Sequence, residues 1–290
     1  MSAVIMDGKA LGLKIRENLK LKCAQLNTVP SLAVILIGDN PASISYVTAK
    51  EKALAEAGMK SHDIRLPENT GEEHLLSFIN DLNNNDQIHG ILVQLPLPEH
   101  INEANVINMI NPHKDVDCFH PYSVGKMFLN KSGFLPCTPY GILCLLKEYN
   151  IKVSGSHVVI VGRSNIVGKP LASLLIRREY NATVTVCHTG TGDISHFTRQ
   201  ADILIAAAGM PALIKKDMIK DNAVVIDVGV NRVSDDSAKK GYRLCGDVDP
   251  DVAAKASFFT PVPGGVGPMT IAVLLQNVYE AAAARSENVK

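Results

Sequence analysis

Neither sign of charge is in excess in this 290-residue sequence, because 29 Lys and Arg residues balance 29 Asp and Glu residues. Proteins that bind nucleic acids or membrane surfaces usually carry a basic excess, so we expect neither kind of partner. Long apolar runs are also lacking, since no stretch reaches the roughly 18 apolar residues that a membrane-spanning helix needs. The N-terminus has Asp7 and Lys9 after a short apolar stretch rather than the apolar core of a secretory signal, which predicts a cytoplasmic protein.

The six cysteines include no C-x-x-C pair, and the nine histidines show no metal-ligand spacing. A chain of this length and apolar content buries a large core without disulfide bonds, so we predict reduced thiols and no metal. Internal repeats and low-complexity linkers are absent as well. The length then predicts two domains or one large domain.

Strand-like apolar runs alternate with helical patterns along almost the whole chain, which is typical of βαβ units and parallel sheets. In the first half, SLAVILIG (31–38) and HGILVQL (89–95) are predicted to be strands. In the second half, four apolar runs are predicted to be strands: SHVVIVG, ATVTVCH, ADILIAAAG and AVVIDVGV. YRLCGDV is a candidate fifth strand, and a last helix is predicted from Pro268. The fold class is therefore α/β with two domains. The boundary between them is predicted near residues 140–155.

The segment GRSNIVGKP (162–170) follows the apolar run HVVIV and precedes a helical pattern, which is the context of a phosphate-binding turn. The segment does not match the G-x-G-x-x-G motif. However, Gly162 allows a tight turn, and Gly168 lets the helix lie close to the sheet. The N-terminus of that helix then offers free N–H groups to a pyrophosphate. An ordinary β–α turn of a doubly wound sheet is the alternative.

The end of the next predicted strand lacks an acidic residue. In NAD-binding folds a carboxylate at that position binds the ribose 2′-OH. Here residues 187–190 contain none, and the first acid is Asp193. A guanidinium binds a 2′-phosphate through two N–H donors, so Arg163 predicts a preference for NADP. The hydroxyl of Thr189 is a further candidate contact to the same phosphate. A solvent-exposed loop arginine is the alternative.

Three places in the first half carry candidate chemistry. Tyr46 and Lys50 are four residues apart and share a helical face, and a lysine in an apolar cleft has a lowered pKa that suits proton transfer. Gln94 lies at the carboxyl end of a predicted strand, where functional groups of α/β folds gather. The loop KDVD offers the carboxylates of Asp115 and Asp117. The alternative for Tyr46 and Lys50 is an ordinary amphipathic helix, and that for Gln94 is a polar residue that ends the strand. The alternative for Asp115 is a turn acceptor.

The segment PVPGGVGPMT (261–270) has three glycines and three prolines in ten residues, which favours a rigid wall that a ligand can approach closely. A structural turn is the alternative. Together with SYVTAK, VQLPLP, KDVD and the GRS turn, in this order and spacing, the segment resembles the bifunctional methylenetetrahydrofolate dehydrogenase/cyclohydrolase family. The resemblance extends from DGKA near the start to the final helix.

The resemblance implies NADP-dependent oxidation of 5,10-methylenetetrahydrofolate to 5,10-methenyltetrahydrofolate and its hydrolysis to 10-formyltetrahydrofolate, within the one-carbon metabolism that serves purine biosynthesis. It implies an N-terminal α/β domain at 1–145 that binds folate and is closed by a C-terminal helix at 268–290. It also implies a Rossmann-like NADP-binding domain at 146–267, a cleft between the domains, and a homodimer.

The resemblance further assigns residues. The implied catalytic residues are Lys50, Tyr46, Gln94 and Asp117. The implied substrate-binding residues are Ser43, Tyr46, Val93, Gln94, Leu95, Asp117, Pro263, Gly264, Gly265, Val266 and Gly267. The implied cofactor-binding residues are Gly162, Arg163, Ser164, Val167, Gly168, His188, Thr189 and Val230.

Two positions depart from the family pattern. Cys118 stands where the family commonly has glycine, and a cysteine is strained there if that glycine has a positive φ. Thr189 and Gly190 stand where many members have serine and a basic residue, which weakens one possible 2′-phosphate contact. A shikimate-type NADP dehydrogenase and a catalytically silent folate or nucleotide sensor are the alternative functions.

Overall fold

The structure is a computed structural model and describes residues 2–238 and 241–288. Its contacts divide the chain into two compact units. Unit A comprises Leu13–Cys137 and Ile271–Lys290, and unit B comprises Met1–Gly12 and Thr138–Thr270. The folate and NADP domain limits that the resemblance implies stay a prediction.

The strands are β1 Val4–Ile5, β2 Ser31–Ile37, β3 Lys60–Leu66, β4 Gly90–Val93, β5 His157–Val161, β6 Thr183–Cys187, β7 Ile203–Ala206, β8 Val224–Asp227, β9 Asn231–Ser234, β10 Tyr242–Cys245 and β11 Phe258–Phe259. The α-helices are α1 Gly8–Cys23, α2 Pro41–Glu56, α3 Glu72–Asn84, α4 Glu103–Met109, α5 Pro121–Phe128, α6 Cys137–Glu148, α7 Gly168–Leu175, α8 Ile194–Thr198 and α9 Val266–Asn288. Two short 3₁₀ helices are Lys216–Met218 and Pro250–Ala254.

Unit A contains a three-stranded parallel sheet in the order β3-β2-β4. All seven residues of β2 are buried, as its continuous apolar run predicts for a central parallel strand. Leu75, Ile79 and Leu82 form the buried stripe of α3 and belong to the same core cluster as β2 and β4 residues. This packing fixes the carboxyl end of β4, where Gln94 follows.

Unit B contains a six-stranded parallel sheet in the order β1-β11-β8-β7-β5-β6. The chain runs from β5 outwards to β6 and then returns to the other side of β5 to form β7. The strand order therefore reverses between β5 and β7. Open α/β sheets bind ligands in the crevice beyond the carboxyl ends of the strands at such a switch point. The turn at 162–167 and the loop at 207–209 flank this position.

The structure agrees with most of the predicted elements and refines several of them. YRLCGDV does contain a strand, but β10 pairs antiparallel with β9 in a separate two-stranded sheet. The final helix begins at Val266, two residues before the predicted start, and the last two residues of the predicted helix lie outside the described residues. None of the helices within 2–238 and 241–288 combines the length and apolar character of a membrane span.

Candidate active site

A buried lysine contacts a glutamine in unit A. Lys50 lies on α2 and is 9% exposed, and Gln94 directly follows β4. The Nζ of Lys50 donates a hydrogen bond to the Oε1 of Gln94 over 3.0 Å. The Nε2 of Gln94 donates to the carbonyl of Leu95 over 2.7 Å, so the amide is held with its oxygen towards the lysine. Both residues were predicted as candidates from the sequence, and the fold brings their side chains together.

The environment of Lys50 lowers its pKa and so shifts its protonation equilibrium towards the neutral amine. Burial lowers the pKa of Lys50 because desolvation disfavours the ammonium form, while Asp117 and Cys137 act in the opposite direction. Tyr46 lies one helical turn earlier on α2 and is 41% exposed, so part of its ring is open to a ligand. Ser43 is buried on the same helix.

The KDVD loop, residues 114–117, contains two carboxylates with different surroundings. Asp115 is buried and accepts hydrogen bonds from the backbone N–H groups of Phe119 over 3.1 Å and His120 over 2.9 Å. It is therefore the turn acceptor that shapes the loop. Asp117 is only half-buried, which leaves its carboxylate open to a ligand.

Cys137 is a member of this cluster that sequence analysis missed. Its Sγ donates to the backbone carbonyl of Val116 over 3.5 Å, and the Asp117 side chain lies close enough to act on the pKa of the thiol. Burial raises the pKa of the Cys137 thiol well above its usual value, so the thiol stays protonated and donates. Lys50, Gln94, Asp117 and Cys137 thus form one polar cluster in unit A, in which Lys50 and Cys137 are buried and Gln94 and Asp117 are half-buried. No sequence pattern marks this cysteine, because it lies 20 residues after the loop that it contacts.

The proline- and glycine-rich segment 261–270 lies in unit B. Gly264 has a φ of +113°, a conformation that favours glycine. A Cβ on Gly265 would lie 2.7 Å from the carbonyl oxygen of Pro261, whereas a Cβ on Gly267 would meet nothing within 4 Å. Pro263 and Val266 complete the segment selected from the sequence, and Val266 opens α9. The segment is therefore a tightly folded turn with open space at Gly267.

The turn after β5 has the geometry of a phosphate-binding loop. Gly162 has a φ of +132°, and a Cβ there would collide with the carbonyl oxygen of Ala207. A Cβ on Gly168 would collide with the carbonyl oxygen of Gly162, so both glycines are required for close backbone packing. The Oγ of Ser164 accepts from the N–H of Val167 over 3.1 Å, and the side chain of Val167, the N-cap residue of α7, makes no capping hydrogen bond. The N-terminus of α7 is thus available to an anion.

The surroundings of Arg163 fit a 2′-phosphate. Arg163 is exposed, and among the described residues it makes no ion pair. The nearest acid after β6, Asp193, accepts from the N–H of Ser195 over 2.9 Å and so caps α8. His188 accepts from the N–H of Gly190 over 3.0 Å, and this shapes the short loop that exposes Thr189. Residues 187–190 therefore offer no carboxylate at the place where NAD-binding folds have one.

Comparison with known proteins identifies the family. The model described as tetrahydrofolate dehydrogenase/cyclohydrolase, catalytic domain, matches residues 6–117, and that described as the NAD(P)-binding domain matches residues 136–286. The chain belongs to this family. The family resemblance inferred from the sequence motifs, and the two-domain α/β fold with a Rossmann-like second domain, are thereby confirmed.

Relatives of this family match the chain over nearly its whole length. Bifunctional protein FolD of Exiguobacterium sibiricum is 56% identical, with 97% of this chain and 99% of that protein covered. The crystal structure of bifunctional FolD from Campylobacter jejuni is 50% identical with a TM-score of 0.93, covering 98% of this chain and 100% of that one. The Trypanosoma brucei dehydrogenase-cyclohydrolase, solved with NADP cofactor and inhibitor, is 39% identical with a TM-score of 0.94, covering 98% and 99%.

Cys118 is one of the two positions at which the resemblance predicts a departure from the family pattern. Its φ is +61°, which is the left-handed region, so the strain expected for cysteine is present. The Cys118 side chain is buried, and its Sγ donates to the carbonyl of Phe134 over 3.2 Å. The thiol contact holds the strained loop next to Asp117.

Two further carboxylates of unit B were missed from the sequence. Asp227 and Asp247 are both buried at the carboxyl end of the six-stranded sheet. Burial raises the pKa of Asp227 to about 7, and the neighbouring charge of Asp247 acts in the same direction. Val230, which the family resemblance implies as a cofactor contact, lies three residues after Asp227 and is 42% exposed.

Proposed function

We propose that this protein oxidises 5,10-methylenetetrahydrofolate to 5,10-methenyltetrahydrofolate with NADP and then hydrolyses the product to 10-formyltetrahydrofolate. The single observation that carries the proposal is the buried contact between Lys50 and Gln94 beside Asp117. Family membership favours this reaction pair over a shikimate-type dehydrogenase. The lowered pKa of Lys50 in an intact cluster favours an enzyme over a silent sensor.

A bound NADP would supply the acceptor for the hydride that leaves the one-carbon bridge of the folate. We infer that its pyrophosphate binds at the turn of Gly162 to Ser164 and the N-terminus of α7, where glycines allow close approach. The exposed guanidinium of Arg163 is placed to pair with the 2′-phosphate, with the Thr189 hydroxyl beside it. Val167, Gly168, His188 and Val230 complete the proposed cofactor site.

Lys50 suits the hydrolytic step because the methenyl group is a cation. An ammonium ion beside this cation would be unfavourable, and burial lowers the pKa of Lys50 in the direction of the neutral amine. The amine accepts a proton from water as the water oxygen bonds to the methenyl carbon. The same proton then passes to the ring nitrogen as its bond to that carbon breaks, and the hydroxyl left by the water loses its remaining proton to solvent as it becomes the formyl C=O. The Oε1 of Gln94 holds the amine in place.

Asp117 and Tyr46 are proposed to orient the folate. The half-buried Asp117 carboxylate accepts hydrogen bonds from the N–H edge of the pterin. The exposed part of the Tyr46 ring offers a stacking face, worth about 1 kcal/mol beyond the burial of surface. Ser43, Val93 and Leu95 are proposed to line the pocket of unit A. Pro263, Gly264, Gly265, Val266 and Gly267 are proposed to contact the same substrate.

We also propose that the protein works in the cytoplasm as a homodimer, with folate bound by residues 1–145 and NADP bound by residues 146–267. The family resemblance supports these assignments. Size-exclusion chromatography with light scattering tests the dimer, because a monomeric mass at micromolar concentration would contradict it.

A spectrophotometric assay tests the activity. We expect absorbance of the methenyl group to appear when the protein receives methylenetetrahydrofolate and NADP, with a smaller rate with NAD. Added methenyltetrahydrofolate should disappear without any cofactor. A protein that binds folate and NADP but gives neither signal would contradict the proposed function.

A further inference from the structure

Two buried carboxylates accept hydrogen bonds from the loops at the carboxyl end of the six-stranded sheet in unit B. Asp227 ends β8 and accepts from three backbone N–H groups, those of Gly229 over 3.1 Å, Asp247 over 2.9 Å and Val248 over 3.0 Å. Because all three donors are main-chain groups, none can rotate away if the acceptor changes. Asp227 therefore ties the loop after β8 to the segment after β10.

Asp247 connects the loop after β7 to the loop after β8. Its Oδ2 accepts from the N–H groups of Ala208 over 2.6 Å and Gly209 over 2.8 Å. Its Oδ1 accepts from the Nδ2 of Asn231 over 2.8 Å. The Asp247 side chain is completely buried, so these contacts are its hydrogen-bonding environment in place of water.

Two glycines make room for the carboxylates in a reciprocal arrangement. A Cβ on Gly246 would collide with the carboxylate of Asp227, and a Cβ on Gly229 would collide with the carboxylate of Asp247. Asp227 therefore packs against Gly246, the residue before Asp247. Asp247 packs against Gly229, which lies two residues after Asp227. Such close packing holds both loops at fixed positions relative to the sheet.

The loops held in this way belong to the proposed cofactor site. Val230 lies between Gly229, which donates to Asp227, and Asn231, which donates to Asp247. The carbonyl of Ala207, adjacent to the two N–H groups on Asp247, packs directly against Gly162 of the phosphate turn. The carboxylate pair thus holds the loops after β7 and β8, and the loop after β7 in turn packs against the phosphate turn at Gly162.

We propose that Asp227 and Asp247 are positioning residues for NADP, which hold the loops at 207–209 and 228–231 in the geometry that binds the cofactor. This inference rests on the proposed function, because it takes these loops to form part of the NADP site. The pair acts through backbone and Asn231 and does not itself touch the reacting atoms.

The two aspartates differ in how they tolerate an amide. In D227N, the new NH₂ group faces at least one backbone N–H that cannot turn, so a hydrogen bond is lost. In D247N, the Asn231 amide can rotate and present its oxygen to the new NH₂ group, which preserves the network. D247A removes all three contacts. D251N removes an exposed carboxylate from the same segment and is the matched control.

Direct binding of NADPH, followed by the fluorescence of its dihydronicotinamide, tests the proposal. We expect Kd to rise about tenfold or more in D227N and D247A, and to stay within about threefold in D247N and D251N. The KM for NADP should rise more than kcat falls. Hydrolysis of methenyltetrahydrofolate needs no cofactor and should change by less than about twofold, which separates positioning from general loss of structure.

Unchanged NADPH affinity in D227N and D247A would overturn the proposal. So would a parallel loss of hydrolysis and binding, because that result describes a structural role only. If D227N does not fold, the contrast between D247A and D247N decides the matter. Binding is measured without turnover, so an unmodified protein that binds NADPH but shows no folate chemistry contradicts the proposed function and leaves this test intact.

Discussion

The Nζ of Lys50 lies 3.0 Å from the Oε1 of Gln94, and the other end of the same amide is held by the carbonyl of Leu95. A neutral amide oxygen accepts a hydrogen bond from either protonation state of the lysine and adds no charge that would favour the ammonium form. The glutamine therefore positions Lys50 without raising its pKa. This relationship explains why a glutamine rather than a carboxylate follows β4.

Q94E tests the need for a neutral partner. A carboxylate at this position would favour the ammonium form of Lys50 and raise its pKa. We expect hydrolysis of methenyltetrahydrofolate to fall at pH 7 and to recover as the pH rises, so that its pH–rate profile moves to higher pH. Q87E adds the same charge at an exposed position of unit A and should leave the profile in place. An unshifted profile in Q94E would show that Lys50 is not the titrating base.

R163Q tests the 2′-phosphate contact. The variant removes the guanidinium but keeps a polar side chain in the exposed turn. We expect the KM for NADP to rise about tenfold or more while the KM for NAD changes little, because only NADP carries the extra phosphate. R178Q, at another exposed arginine of unit B, should alter neither value. Equal losses with both cofactors would contradict recognition of the 2′-phosphate by Arg163.

Substitutions at Cys118 test its left-handed backbone. Glycine adopts a φ of +61° without the cost that a Cβ imposes, so C118G should be more stable than C118A by about 1 kcal/mol. At Cys144, which lies inside α6, the order should reverse, and C144A should be more stable than C144G by about 1 kcal/mol. Urea denaturation measures both pairs. An alanine variant more stable than glycine at position 118 would contradict the strain.

The buried Asp227 predicts a pH dependence of stability. Its pKa is about 7 in the folded protein against an ordinary 3.8, so between these values the folded state binds a proton that the unfolded state does not. The free energy of unfolding therefore contains a contribution that is fully present below pH 4 and is lost as the pH rises through about 7. D227N lacks this contribution. The free energy of unfolding of the unmodified protein minus that of D227N should therefore fall as the pH rises from about 4 to about 7. The fall should be at most about 1.4 kcal/mol per pH unit. A flat difference would contradict the raised pKa.

The sequence was sufficient to predict the strands and helices whose patterns are long. The apolar run at 31–38 and the helical spacing around Lys50 both predicted their elements, because burial of a whole strand or one helical face is visible in residue order. The two-residue strands β1 and β11 were missed, since two residues have no measurable period. Their pairing depends on neighbours that are distant in the chain.

The candidate site was predictable only in part. Sequence position showed that Gln94 ends a strand and that Lys50 lies on a helix, but their contact joins residues 44 positions apart. Asp227 and Asp247 were missed because each appears as the polar end of an apolar run. The positioning role proposed for them depends on hydrogen bonds from N–H groups that lie 20 to 39 residues away in the chain. Only the folded chain brings these groups together. The proposed roles of the site residues remain predictions.

The hydrolysis rate of K50M, compared with that of K52M, tests the role of Lys50 most directly. Methionine keeps the length and apolar stem of the lysine but has no amine, whereas Lys52 is exposed on the same helix and serves as the control. We expect K50M to hydrolyse methenyltetrahydrofolate about 10² to 10⁴ times more slowly than the unmodified protein, and K52M to retain its rate. Hydrolysis by K50M at the unmodified rate would contradict the assignment of Lys50 as the base.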